Sequence, residues 1–507
     1  SGPSRPCAGE RGEPFHCIHR RGKCGHFLAR MQSGKLPRLK APTPGVRILG
    51  PCLAALIVAG SALAAPQTCA EPIEEWRQAP RLDLFLQARS QWGSGAGPIL
   101  DAISVSWRDA YTPMIVELAI VSPYPETRTL MFRFLRRETG RAFGEDTQRW
   151  MQWVWQQPYD PHPEYLAFKR TIYGLIDPRM ASFFPEGARS LIRLDEVQWG
   201  GVYVNGIPPL DHPEHIPADQ AGYLRDNHVV FGLSINGEAR AYPKRILAWH
   251  EMALDRLGGV EVTLVYCTLC GTAIPYYSVV GGQHRTFGTS GLLYRSNKLM
   301  FDHESKSLWS TLLGEPVIGE LVGSGLKLEF LPIVTTRWGE WKSRHPDTTV
   351  LSLNTGHERD YREGRAYRDY FSNDRLMFQV PERDRRLKNK AEILGILLSP
   401  NEPKAAEEVL AISARFLQKN PVFRTELAGR NLTILTTPAG ANRVFDTGNR
   451  TFERLLENEQ AADDAGTIWR VTEDALVSED MRLARVPAYR AFWFGWFAQF
   501  PETRLIK

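Results

Sequence analysis

Apolar residues recur at helical spacing through residues 125–140, and the stretch ends on Gly140, as helices often do. Residues 146–157 follow with Trp150, Trp153 and Trp155. Such an aromatic stripe is more often packing between helices than a carbohydrate or ligand platform. Residues 70–190 therefore read as a helical segment. Its short helices, broken by Pro and Gly, resemble a helical-repeat array without a fixed period. From about Gly200 the period shortens. Val229–Ile235 reads as a strand, Asn236-Gly237 as a hairpin turn, and residues 238–242 as the return strand. Pro243 opens a predicted helix over 244–257, closed by Gly258-Gly259. Residues 260–266 alternate Val260, Val262, Leu264 and Tyr266 on one face. A turn with two cysteines follows, then a strand over 273–280, the turn Gly281-Gly282, and strands through Leu308-Trp309. The class is α+β.

This second region repeats itself. Val230-Phe231-Gly232 returns as Ile393-Leu394-Gly395, and Ser307-Leu308-Trp309 as Thr467-Ile468-Trp469. Trp338-Gly-Glu-Trp341 before Pro346-Asp347-Thr348 returns as Trp493-Phe-Gly-Trp496 before Pro501-Glu502-Thr503. Residues 281–287 read as the counterpart of 428–433. The expectation is a duplicated antiparallel-sheet-plus-helix unit, with copies at 200–372 and 373–507. The second copy has no cysteine and no histidine, so site chemistry is assigned to the first.

Composition adds little until the charge is located. The formal charge of +5 is misleading, because residues 1–47 hold ten Lys/Arg against Glu10 and Glu13. Taking these from totals of 62 basic and 57 acidic residues leaves 52 against 55. A near-neutral body gives no electrostatic reason to expect nucleic acid as a partner. The basic head precedes an apolar run over 48–64 that ends Ala62-Leu63-Ala64. That is the form of a secretory signal peptide starting at Met31 and cleaved near Ala64, with residues 1–30 as upstream non-native sequence. The expected location is periplasmic or secreted, with membrane attachment only through an uncleaved segment. Of seven cysteines, Cys69, Cys267 and Cys270 would remain, too few for a disulfide scaffold.

The chemistry concentrates at Tyr266-Cys267-Thr268-Leu269-Cys270-Gly271-Thr272. If the helix runs over 244–257, then Ile246, His250, Ala253 and Leu257 share a face, and His250 points toward the sheet that carries the cysteines. A set of Cys267, Cys270 and His250 suits zinc, and thiolates suit copper as well. His303, Asp302, His284 and His357 are candidates for a further ligand. The bland reading of His250 is a buried imidazole satisfied by hydrogen bonds. The cysteines alone are also a candidate thiol–disulfide pair, or an inert bridge. A strand, not a helix, follows the turn, which weakens a thioredoxin-like mechanism. Tyr242, Arg285, Ser290, Tyr294, Arg295, Ser296 and Asn297 are candidates for contacting a small ligand. Arg295, Ser296 and Asn297 equally fit a hydrogen-bonded turn. Tyr367, Asp369 and Tyr370 either cover a pocket or lie at the surface. No nucleotide-binding glycine loop or haem-attachment motif is present.

Several motifs in order resemble the bacterial family called domain of unknown function 3179. They are Ala241-Tyr242-Pro243, Trp249-His250-Glu251, the Cys turn, Ser290-Gly-Leu-Leu-Tyr294 through Asn297, and Trp338 through Thr348. The resemblance covers about 200–507, with Thr268 where that family usually has proline. It implies a fold family and no activity. The functional expectation is a metal-thiolate protein holding copper or zinc, or an enzyme using that metal, whose partner is a small molecule or a metal-handling protein. The alternatives are a thiol–disulfide protein and a non-catalytic binding scaffold.

Overall fold

The computed structural model describes residues 79–399, 407–457 and 459–507. The expected signal peptide, the upstream stretch and Cys69 lie outside the described residues. Among those residues no helix is long and apolar enough to cross a membrane.

Among the described residues the helical segment carries six α-helices: Leu82–Ser90, Gly97–Ser104, Thr112–Val121, Pro125–Thr139, Thr147–Trp155 and Tyr165–Ile176. Pro125 occupies the first turn of its helix, and Gly140 ends it with φ 67°. The Asp146 carboxylate caps the next helix by accepting the Arg149 N–H at 3.0 Å. Thr112–Val121 is buried on nearly every side and forms the centre of the bundle. Trp150 and Trp155 are buried in the same core, so the aromatic stripe is packing. That core continues into Leu292, Leu299, Phe301 and Val317. These residues belong to a six-stranded antiparallel sheet ordered 189–190, 316–319, 308–310, 297–302, 287–294, 197–199. The helices thus cover a face of the β region.

The duplication is visible strand by strand. In the first copy Val334–Arg337, Val229–Ile235, Glu238–Pro243 and Thr349–Leu351 lie side by side, paired antiparallel, antiparallel and parallel. In the second copy Tyr489–Phe492, Glu392–Leu398, Glu408–Ser413 and Arg504–Ile506 repeat that order and those directions. A short helix leads into the parallel strand in each: Trp338–Arg344 and Trp493–Gln499. Trp341 Nε1 donates to Thr348 Oγ1 at 2.9 Å, and Trp496 Nε1 to Thr503 Oγ1 at 3.0 Å. Each indole lies on a strand glycine. A Cβ added at Gly232 would stand 2.2 Å from the Trp341 ring, and one at Gly395 would stand 2.2 Å from the Trp496 ring. Gly395→Ala is expected to cost about 1–3 kcal/mol by overpacking. Urea unfolding would read this as a lower midpoint; an unchanged midpoint would mean the indole has somewhere to go.

Two sequence expectations fail here. The helix predicted over 244–257 is only Lys244–His250. Glu251 takes φ 56°, its N–H bonds to Leu247 O at 2.7 Å, and the chain turns into the strand Met252–Leu257. Gly258 and Gly259, at φ 56° and 81°, make the hairpin to Val260–Cys267. The helical face through Ala253 and Leu257 therefore does not exist. The repeat match at 281–287 is likewise out of register. Ala428 and Gly429, at φ 52° and 70°, turn between Val422–Leu427 and Arg430–Thr436, so they correspond to Gly258-Gly259. The buried hydroxyl pairs agree: Thr263 with Ser278 at 2.9 Å, and Thr433 with Thr447 at 3.0 Å. So do the indole–carboxylate bonds, Trp309 to Asp302 at 2.8 Å and Trp469 to Asp463 at 3.1 Å.

Candidate dithiol site

Cys267 ends the strand Val260–Cys267, and its register partner is Thr272, which starts the next strand. Gly271, at φ 63°, closes the turn between them. Both cysteines are free thiols, 4% and 1% exposed. The facing wall is the strand Asn297–Asp302, entered through a tight turn in which Arg295 and Ser296 have φ 47° and 64°. Cys270 Sγ lies 3.4 Å from the Ser296 carbonyl and within hydrogen-bonding reach of Cys267.

Two buried charges complete the pocket. Lys298 Nζ donates to the Glu251 carbonyl at 2.6 Å and stands 3.8 Å from its carboxylate. The left-handed backbone at Glu251 is held by this bond and by the Tyr266 N–H, 2.9 Å from the same oxygen. Burial raises the Glu251 carboxyl above its usual range, although Lys298 and a hydrogen bond from Thr268 oppose the shift. Burial lowers the Lys298 ammonium, while the charges of Glu251 and Cys267 support it.

These surroundings separate the two thiols. Burial, and to a lesser degree the charge of Glu251, would push Cys267 up. Hydrogen bonds from the Cys270 thiol and from the backbone N–H groups of Lys298 and Cys270 outweigh burial and bring it below the ordinary cysteine value. Burial and the Cys267 sulfur together push Cys270 well up. The arrangement favours ionisation at Cys267 over Cys270.

The second copy supplies part of the enclosure, which the sequence reading did not anticipate. The Phe492 N–H donates to Cys270 O at 2.7 Å. Gly495, in the helix Trp493–Gln499, lies so close that an added Cβ would stand 3.0 Å from Cys270 Sγ. Tyr370, on the short helix Arg368–Phe371, donates its hydroxyl to Leu269 O at 2.7 Å, so the Tyr367–Tyr370 stretch covers the turn. Glu251, Lys298 and Gly495 went unread. The available signals were a lysine inside an apolar strand and a glycine between the aromatic residues of Trp493-Phe-Gly-Trp496.

His250 is not brought to the sulfurs. Its Nδ1 lies 2.9 Å from the Pro208 carbonyl, and its Nε2 lies 2.5 Å from the Tyr361 hydroxyl. Both nitrogens are engaged by loops remote from the Cys turn in sequence. The reason is the shortened helix, which ends at His250 and aims the ring away from the sheet. His357 is exposed and packs beside His250, with ring centroids 5.2 Å apart. His284 is exposed in a two-residue strand, and exposed His303 rests on Phe301. Asp302 accepts from Trp309, Ser305 and Arg285, and so organises a turn. Among the described residues no group of three or more His, Cys, Asp or Glu side chains is placed to hold a metal ion. The donors expected for copper or zinc do not converge.

The expected ligand contacts are mostly spent on the fold. Tyr242 donates to Asp255 at 2.7 Å, Ser290 to Leu299 O at 2.7 Å, and Arg285 to Asp302 at 3.3 Å. Arg295 binds Glu196 at 2.5 Å and Ala498 O at 2.8 Å, with its guanidinium over the Tyr294 ring. Asn297 Oδ1 accepts from Thr311 at 2.6 Å, while its buried amide nitrogen has no partner. Of the seven, Ser296 and Asn297 border the dithiol.

No curated protein and no solved structure matches this chain. The family model described as Protein of unknown function (DUF3179) matches residues 204–503, a span that takes in most of both copies and the Cys turn. The chain belongs to this family of unknown function.

Proposed function

We propose that the protein is an exported thiol–disulfide protein in which Cys267 is the attacking thiolate and Cys270 the resolving thiol. The observation that carries this reading is geometric: two free, buried thiols of one tight turn lie within hydrogen-bonding reach of each other, and backbone N–H groups of Lys298 and Cys270 face the Cys267 sulfur. Cys267 would attack one sulfur of a partner disulfide, breaking its S–S bond and releasing a thiolate that takes up a proton. Cys270 would lose its proton and attack Cys267 Sγ in the mixed disulfide. That step expels the second thiol and leaves a Cys267–Cys270 bond. Two electrons pass to the partner. Glu251, whose affinity for a proton is raised by burial, is the base nearest to hand. Because the sulfurs are covered, exchange requires the Arg368–Phe371 segment to move. A copper- or zinc-thiolate centre would use the same two sulfurs but would need ligands from outside this chain, so we rank it second.

The test treats the reduced full chain with oxidised glutathione and maps adducts by peptide mass spectrometry. The expected result is an internal Cys267–Cys270 disulfide in the wild type and a trapped glutathione adduct on Cys267 in Cys270→Ser. Cys267→Ser should give almost no adduct at neutral pH. An adduct formed preferentially on Cys270, or a pair that never closes, would sink the proposal. Stoichiometric copper or zinc in a chelator-free preparation, lost in Cys267→Ser/Cys270→Ser, would favour the metal instead.

A further inference from the structure

Directly behind the Cys turn, the seam between the two copies holds a cavity of about 100 Å³ that opens to solvent. Its wall combines strands of the first copy, Val229–Ile235 and Val334–Arg337, with strands of the second, Glu392–Leu398 and Tyr489–Phe492. The polar side chains that line it include Lys244, Tyr266, Thr336, Arg337, Glu392 and Arg490. Arg490 is held by three hydrogen bonds, one from each guanidinium nitrogen. It pairs with Glu392 at 2.6 Å, and bonds Asn442 at 2.8 Å and Gly440 O at 2.6 Å. One Glu392 oxygen is thereby taken, while the same carboxylate also lends its charge to Lys244.

Two further cations line the cavity, Lys244 and the solvent-exposed Arg337. Lys244 Nζ sits 4.3 Å over the Phe371 ring, and Arg337 donates to the Asn227 carbonyl at 2.8 Å. Among the described residues neither makes an ion pair. Two hydroxyls of the same wall, Tyr266 Oη and Thr336 Oγ1, are buried without a hydrogen-bond partner. Tyr266 is 0% exposed and Thr336 3%. A buried unpaired hydroxyl costs about 1–3 kcal/mol. Two of them in one small cavity, beside Lys244 and Arg337, outnumber the one carboxylate of the lining, Glu392, which is bound to Arg490.

We infer that this cavity binds a small oxyanion, of the carboxylate or phosphate type, held by Lys244 and Arg337 and by hydrogen bonds from Tyr266 and Thr336. A carboxylate or phosphate oxygen accepts from a hydroxyl and from a cationic N–H at once, which meets every unmet donor named. The inference goes beyond the thiol reading and does not depend on it. Tyr266 and Gly271 line the cavity and flank the cysteines, so an occupant would sit against the back of the dithiol turn.

The experiment is calorimetric titration of the full chain with sodium acetate and, separately, with inorganic phosphate, at constant ionic strength set by chloride. Saturable binding is expected for at least one. Acetate alone would mark an organic carboxylate site, phosphate alone a phosphate site, and both a general oxyanion site. Tyr266→Phe and Lys244→Met should each weaken binding by about tenfold, the value of one charge-assisted or buried hydrogen bond. Without ligand, Tyr266→Phe should unfold no earlier than the wild type, because it deletes an unsatisfied group; this separates lost binding from a damaged fold. No saturable binding of either anion, or binding unchanged in both variants, would overturn the inference and leave water as the occupant.

Discussion

Asp255→Ala is expected to destabilise the protein by about 3–5 kcal/mol, the cost of breaking a buried charge network from one side. Asp255 lies on the strand Met252–Leu257, 5% exposed. Its Oδ2 accepts from Arg240 at 2.9 Å and Tyr242 at 2.7 Å, and His215 Nε2 lies 3.0 Å away. Burial would raise this carboxyl, but His215, Arg240 and Tyr242 together hold it at about 2. Removing it takes one of two carboxylates from the Arg240 guanidinium and leaves a buried phenol without its acceptor. Its folded value is depressed, so its stabilisation is present above pH 4 and is lost only as the pH falls toward 2. Denaturant unfolding at neutral pH should give a lower midpoint at unchanged slope. A loss under about 1 kcal/mol would mean that the network relaxes onto Glu238, which already binds Arg240 at 2.6 Å.

A second large effect belongs to acid. Burial brings the His250 imidazole down to about 4, against 6.5 when unfolded. The folded state therefore binds fewer protons than the unfolded state between these values. Stability should fall as the pH drops from 6.5 to 4, by about 3 kcal/mol in all. Comparing unfolding at pH 7 and pH 4.5 in the wild type and in His250→Gln isolates the term. The variant should lack most of the slope, and an equal slope in both would assign the acid sensitivity elsewhere.

Much of the fold was legible because repeated packing leaves repeated letters. Gly232 and Gly395, Trp341 and Trp496, and Thr348 and Thr503 are local, rigid and irreplaceable, so they recur visibly. The helix end at His250 was hidden because Ile246, Ala253 and Leu257 satisfy a helical period while Met252 to Leu257 also fit a strand. Nothing in composition decides between these, and pairing with Val260–Cys267 wins. The error carried over to the site, since the metal reading of His250 depended on that helix. The Cys turn itself was legible from its spacing. Lys298 and Glu251 were not, because single charged residues read as solvent-facing until a tertiary partner buries them. The amide donors to Cys267 carry no side-chain signature at all.

The close approach of Gly495 to Cys270 bears on how the molecule is dissected. A fragment ending at residue 372 would contain both cysteines, Glu251 and Lys298, yet it would leave the Cys270 sulfur uncovered on the side where Trp493–Gln499 packs. The asymmetry between the thiols depends on that cover, since burial is what drives Cys270 upward. The smallest piece able to keep two unequal sulfurs is therefore the tandem. The cysteine-free half serves as its permanent intramolecular subunit.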